Sequence, residues 1–199
     1  TSHYRKSTAT SVVFITAQGM VKKTSIDEYS KGGRTLVGLI GIKLKTGDKI
    51  ANITLLDKED LILITKNGMS IRIATDIISP IGRIAMGVKG IKLADGDEVV
   101  AGVPVHKDTD SLAIFTEEGI GKKVSVGEFV KQGRGGIGNS CYKGHTVIGA
   151  TMVSDDDNIL IIGAKNSICI SAKEIPLVQK VAIGNAMIKN DNIKSIVKI

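Results

Sequence analysis

Lysine and arginine recur at matched places along this chain. Lys22 with Lys23, Arg72, and Lys122 with Lys123 each follow the same kind of turn. Arg34, Arg83 and Arg134 return at a second equivalent place, where a fourth copy has Lys180. Such cations neutralise anions, and a series of them at equal intervals suits an extended polyanion whose phosphates are met in succession. The most pointed segment is Gln132-Gly133-Arg134-Gly135-Gly136-Ile137-Gly138. Glycines beside an arginine expose backbone N–H groups and let a phosphate come close. The plain alternatives are that these cations solubilise exposed strands and guard their edges, and that the glycine-rich heptad is a flexible loop.

Other chemistry finds little support. A hydrolase needs a nucleophile with a base beside it. His3, His106 and His145 are the only histidines, and none stands in a metal-ligating or nucleophile motif. His106 and His145 read as exposed loop residues. No phosphate-cradling G-x-x-x-x-G-K-[ST] loop occurs. The acidic clusters Asp95-Gly96-Asp97-Glu98 and Asp155-Asp156-Asp157-Asn158 read as turns, because no loop supplies the further oxygen ligands that calcium needs. The expectation is therefore no catalysis by this chain, no metal, no cofactor and no small-molecule substrate.

Composition agrees with a polyanionic partner. The formal net charge is +7, and the basic excess lies at the two ends. Cys141 and Cys169 are far apart and read as free thiols in a reducing compartment. No apolar run is long enough for a membrane helix. The chain begins Thr1-Ser2 without Met and reads as an excised or processed piece.

The elements that must position these cations come from repetition. An apolar run, a turn and a basic strand appear at Ile15–Lys23, Ile64–Arg72 and Phe115–Lys123, with a worn copy at Ile162–Ile170. Turn positions 19, 68, 119 and 167 are 49, 51 and 48 residues apart. A period near fifty residues predicts an array of supersecondary units. In the second copy Leu61–Thr65 reads as a strand covered on both faces, and Asn67-Gly68 as a type I′ hairpin turn. Met69–Ala74 reads as a return strand with Ile71 and Ile73 on one face and Ser70 and Arg72 on the other. Gly87–Leu93 and Val99–Val103 supply two more strands. Only Ser25–Tyr29, Gly127–Val130 and Ala172–Ile175 read as helical turns. Aromatics make up 3% of the chain, so the core must be aliphatic, which suits pleated strands. The reading is one all-β domain over residues 1–199, with four four-stranded antiparallel blades at about 11–59, 60–110, 111–157 and 158–199. Equivalent cations would then form a belt round the rim. A closed disc and an open crescent both satisfy the period, and an open end would invite self-association.

The repeats resemble the C-terminal domain of the A subunit of DNA gyrase, or of its topoisomerase IV counterpart. The similarity runs from about Val12 to Ile199. It is carried by Gly19–Thr24 with Asp27–Tyr29, by Gly87–Leu93 with Gly96–Val100, and by Glu128-Phe129 leading into the glycine-rich heptad.

That resemblance implies a β-pinwheel whose basic outer rim binds and bends duplex DNA through its phosphates. It implies a non-catalytic module of a type IIA topoisomerase, whose partners are the remainder of the A subunit, the ATPase B subunit, and DNA. Such a module guides DNA to the strand-passage core, so that ATP hydrolysis by the holoenzyme introduces supercoils. It further implies a bacterial, cytoplasmic, nucleoid-associated setting. The residues expected to bind DNA are Lys22, Lys23, Arg34, Arg72, Arg83, Lys122, Lys123, Gln132, Arg134, Gly135 and Gly136. Two departures stand out. The gyrase version has six blades against four here. Its Q-R-R-G-G-x-G box belongs to the first blade, whereas the nearest match here lies in the third repeat with Gly133 in place of one Arg. Gly32–Gly38 of the first repeat has lost most of the pattern. The alternative is a propeller-like protein-interaction scaffold that does not wrap DNA.

Overall fold

The computed structural model describes residues 9–29, 38–106 and 110–199. The first repeat contributes β1 (Ser11–Thr16), β2 (Met20–Ser25) and β3 (Ile50–Leu56). The second contributes β4 (Asp60–Thr65), β5 (Met69–Ile73), the two-residue β6 (Val88–Lys89) and β7 (Val99–Val105). The third gives β8 (Ser111–Thr116), β9 (Ile120–Ser125), β10 (Lys131–Gln132), β11 (Asn139–Ser140) and β12 (Val147–Val153). The fourth gives β13 (Asn158–Gly163), β14 (Ser167–Ser171), β15 (Asn185–Ala186) and β16 (Ile193–Lys198). Four small sheets result, and they form a four-bladed pinwheel.

Strand membership differs from the expected four strands per repeat. Each of the first three sheets takes its three long strands from one repeat, and its outermost strand from the next. The first sheet runs β3-β1-β2-β6, and the third runs β12-β8-β9-β15. In the second, β5 is flanked by β10 in parallel and β11 antiparallel, both from the third repeat. The fourth sheet, β14-β13-β16, has no donated strand among the described residues.

The turns explain this difference. Gly19, Gly68 and Gly119 sit at φ +80°, +77° and +87°. Each carbonyl accepts two successive N–H groups of the donated segment: Gly90 and Ile91 on Gly19, Cys141 and Tyr142 on Gly68, Met187 and Ile188 on Gly119. A Cβ on Gly68 would run into the Tyr142 carbonyl, so glycine is required for that approach. In the fourth turn Ser167 stands in the glycine's place, without a positive φ. The N–H groups of that turn are held by Asp191, just before β16. Its carboxylate accepts from Ala164, Lys165 and Asn166 at 2.9, 3.0 and 2.8 Å. The fourth turn thus lacks the glycine that receives a donated strand in the other three.

The hairpin expected as type I′ at Asn67-Gly68 takes another form. Asn67 keeps a negative φ, and the Gly68 N–H closes on the Thr65 carbonyl at 3.0 Å. This is a type I turn followed by one left-handed glycine. The three expected helical turns occur, as single 3₁₀ turns at Ile26–Glu28, Val126–Glu128 and Ala172–Glu174. A fourth at Thr75–Ile77 was not anticipated.

Three apolar cores fill the gaps between the four sheets. Side chains alternate across a strand, so β4 sends Leu61 and Leu63 towards the first sheet and Ile62 and Ile64 towards the third. Likewise β8 sends Leu112 and Ile114 one way and Ala113 and Phe115 the other. Burial on both faces is why these strands read as unbroken apolar runs. The two faces expected of Met69–Ala74 are kept, with Ile71 and Ile73 in the core shared with the first sheet and Arg72 turned towards the third, and both faces are buried. The inner strands β3, β7, β12 and β16 meet around a central cavity of about 190 Å³ lined by Asn52, Ala101, Gly149 and Ser195.

Candidate nucleic-acid interface

The strand after each turn was expected to put its cations on the rim. It buries most of them. Lys22 and Lys122 are fully buried, and Arg72 and Lys123 nearly so. The Lys122 ammonium donates to the carbonyls of Cys141, Lys180 and Ala182 at 2.7, 2.7 and 2.6 Å. It also lies 4.1 Å from the Tyr142 ring centroid. Lys22 donates to Thr24 Oγ1 and the Gly41 carbonyl, 5.2 Å from the Phe14 ring centroid. Arg72 pairs with Asp60 at 2.7 Å, and Lys123 with Asp155 at 3.0 Å. Lys23, half-buried, donates to the Thr75 carbonyl at 3.3 Å.

These groups are internal fasteners. Lys122 ties the donated segment of its own repeat to the loop of the next, as a cation with several donors does well. Burial lowers its pKa to about 8, against the opposing pull of Cys141 and Glu128. Burial also lowers the pKa of Lys22. Cys141, beside Lys122, is buried, and burial raises its thiol pKa to about 11. A buried ammonium held by three carbonyls is not available to a phosphate, so the rim role expected of Lys22, Arg72, Lys122 and Lys123 does not fit their positions.

The second set of cations sits differently. After the 3₁₀ turns of the second, third and fourth repeats the chain runs beside the outer strand of the preceding sheet, leaves it in a short excursion, and returns as the donated strand. Ile81 N–H bonds the Lys23 carbonyl, and Val178 N–H bonds the Lys123 carbonyl, on the way out. The excursions are Gly82–Gly87, Gly133–Gly138 and Gln179–Gly184, and each ends on a glycine of positive φ. Arg83, Arg134 and Lys180 occupy one place in them. Arg34 lies outside the described residues.

Two of these three excursions are latched by an acid. Glu28 accepts the Arg83 N–H at 3.1 Å, and Glu128 accepts the Lys180 N–H at 2.8 Å. Lys180 also lies over the Phe129 ring. The third residue of the intervening 3₁₀ turn is Ile77, so no acid stands in this place before Arg134, which is exposed. Gly135 N–H bonds the Gly90 carbonyl at 2.7 Å, and Gly136 accepts from Lys92 N–H at 2.8 Å. This brings Lys89 and Lys92 to the same edge as Arg134, with Gln132 half-buried in β10 beneath them.

A further series was missed by the sequence reading. Lys92, Lys143 and Lys189 follow the donated segments, Lys43 holds the same place in the first repeat, and all four are exposed. None makes an ion pair among the described residues. Their spacing of 49, 51 and 46 residues is visible in the sequence, but the Lys-Lys pairs after the turns give the stronger signal.

Polar clusters elsewhere are structural. Asp48 and Asp97 each accept the N–H of a turn residue, Gln18 and Asn67, at 3.0 Å, which supports the turn reading of the acidic clusters. His106 is exposed, 3.5 Å from Glu59. His145 is not the exposed residue expected: it stacks edge-on against Tyr142 at 5.8 Å and lies 3.6 Å from Glu118. No cluster of metal-ligating residues occurs among the described residues, and no helix there is long and apolar enough to cross a membrane.

A pinwheel whose first three blades take their outermost strands from the next repeat defines the class of protein: a β-propeller of the strand-donating kind. The chain belongs to the family described as DNA gyrase C-terminal domain, beta-propeller, which matches it at residues 10–57, 59–106 and 110–162. Among curated proteins it is 34% identical over 188 residues to the A subunit of DNA gyrase from Lawsonia intracellularis, covering 90% of this chain and 23% of that protein. It is 30% identical over 173 residues to the same protein of Helicobacter pylori, covering 83% and 21%. The chain therefore spans less than a quarter of these relatives. Among solved structures, the C-terminal domain of DNA topoisomerase IV superposes with a TM-score of 0.89 at 28% identity, covering all of this chain and 64% of that one. The DNA gyrase A C-terminal domain superposes at 0.85 and 25% identity, covering 96% and 66%.

Proposed function

We propose that this chain is a non-catalytic module that binds and bends duplex DNA within the A subunit of a type IIA topoisomerase. The observation that carries the reading is the series Lys43, Lys92, Lys143 and Lys189, exposed and without ion pairs among the described residues, joined at one edge by Lys89 and Arg134. Cations at one place in successive blades meet successive phosphates of a curved duplex. Their attraction offsets a bending cost of roughly 1–6 kcal/mol for a 20–30 bp segment. Of the residues first expected to bind, Lys23, Arg83, Gln132, Arg134, Gly135 and Gly136 are not fully buried, although the Gly135 N–H is already bonded to the Gly90 carbonyl.

In the holoenzyme the module would act with the ATPase subunit, guiding DNA to the strand-passage core within the bacterial nucleoid. Recognition is largely independent of sequence, because phosphate contacts carry no base code. Titrating a labelled duplex against salt tests the proposal. Phosphate contacts from the four lysines, Lys89 and Arg134 predict a slope of log K on log salt near about −5. Affinity that ignores salt, or absent binding at low salt, sinks the proposal and favours a protein-interaction scaffold. Linking-number measurement on relaxed plasmid then reports whether the bend has a fixed hand.

A further inference from the structure

Phosphate neutralisation leaves one shared feature of the rim excursions unused. The residue before the closing glycine is aliphatic in each: Met86, Ile137 and Ile183, which are 42%, 62% and 54% exposed. The backbone beneath them is pinned. Ala85 N–H bonds the Gly82 carbonyl, and Ala182 N–H bonds the Gln179 carbonyl. The carbonyls of Lys180 and Ala182 turn inward to Lys122, and that of Ile183 to the Tyr142 hydroxyl. Scattered single apolar residues on a surface need no explanation. These are not scattered: they share one place in the repeat, on a held backbone, three residues after a cation.

We infer that Met86, Ile137 and Ile183 are apolar contacts for duplex DNA, seated against deoxyribose faces in the minor groove between the phosphates that the neighbouring cations neutralise. The inference rests on the DNA-binding reading above. A deoxyribose wall is apolar where an RNA duplex displays 2′-hydroxyl groups, so these contacts favour DNA over RNA of the same sequence. They release no counterions and supply a share of affinity that salt does not remove.

The triple variant M86S/I137S/I183S tests this by fluorescence anisotropy with labelled DNA and RNA duplexes over a range of salt. The expected result is a line of log K on log salt parallel to that of the parent chain and lower by about tenfold or more. The preference for DNA over RNA should shrink with it. The aliphatic variant M86L/I137L/I183L should bind as the parent does, which separates apolarity from loop shape. Equal affinity of parent and serine variant at every salt overturns the inference, as does a leucine variant as weak as the serine one. A parent that binds no duplex overturns the DNA-binding proposal itself.

Discussion

The backbone N–H of Lys180 donates to the carboxylate of Glu128 at 2.8 Å, and this contact fixes one rim excursion to the 3₁₀ turn of the blade before it. Arg83 repeats it with Glu28 at 3.1 Å. At Arg134 the acid's place is taken by Ile77. The same loop is therefore tied to a carboxylate through the backbone of its cationic residue in two blades, and has no acid at that place in the third. Arg134→Ala should weaken duplex binding more than Arg83→Ala, and should flatten the salt slope by about 0.9. Ile77→Glu should restore the acid and lower affinity without removing any cation. Equal losses from Arg134→Ala and Arg83→Ala, measured at one salt concentration, would falsify this account.

The four lysines at this one place in the repeats should behave as equals. Replacing Lys43, Lys92, Lys143 or Lys189 by Ala should each lessen the salt slope by about 0.9, with little change in thermal stability. A single dominant lysine would argue for a local patch instead of a perimeter.

Lys122 should matter to folding. Lys122→Met leaves three inward carbonyls without their donor, and should cost about 2–4 kcal/mol in denaturant unfolding. The pH dependence has a definite sign. The pKa of Lys122 is about 8 in the folded chain, below the ordinary 10.5. Between these values the unfolded chain holds more protons, so the contribution to stability grows as pH rises through 8 and is lost as pH falls through it. From pH 8 to 9 the parent should gain stability relative to Lys122→Met. A gap between them that is flat or shrinks with rising pH would contradict the burial of a charged ammonium.

Gly68→Ala combines a left-handed backbone with a Cβ directed at the Tyr142 carbonyl. It should destabilise the chain by about 2 kcal/mol or more. Gly47→Ala has the same φ, +77°, but open space around it. It should cost clearly less. The two melting curves side by side isolate the closeness of the donated strand from the cost of the dihedral angle.

Much of this was legible in the sequence. The period, the long strands and most turns follow from local chemistry: glycine at three of the four hairpin turns, apolar runs between them, and three of the four 3₁₀ turns. What was hidden is relational. Nothing local distinguishes Val88-Lys89 as a strand of the previous sheet, because its partner β2 lies more than sixty residues away. The burial of Lys22 and Lys122 was hidden for the same reason. Their carbonyl acceptors come from distant segments, and a lysine in an alternating strand reads as a solvent-facing residue. Lys43, Lys92, Lys143 and Lys189 were visible by spacing, but only the structure shows that they are the ones left facing water.

The borrowed outer strands set an order in time. The outer edge of β5 is complete when Ile73 is made, but its antiparallel cover ends at Ser140. At ribosomal rates of about 5–20 residues per second, that edge stands bare for roughly 3–13 s. Each of the first three blades is thus finished by its successor during synthesis. A nascent chain carries one unfinished blade at every stage until Asn185-Ala186 of the fourth repeat covers β9.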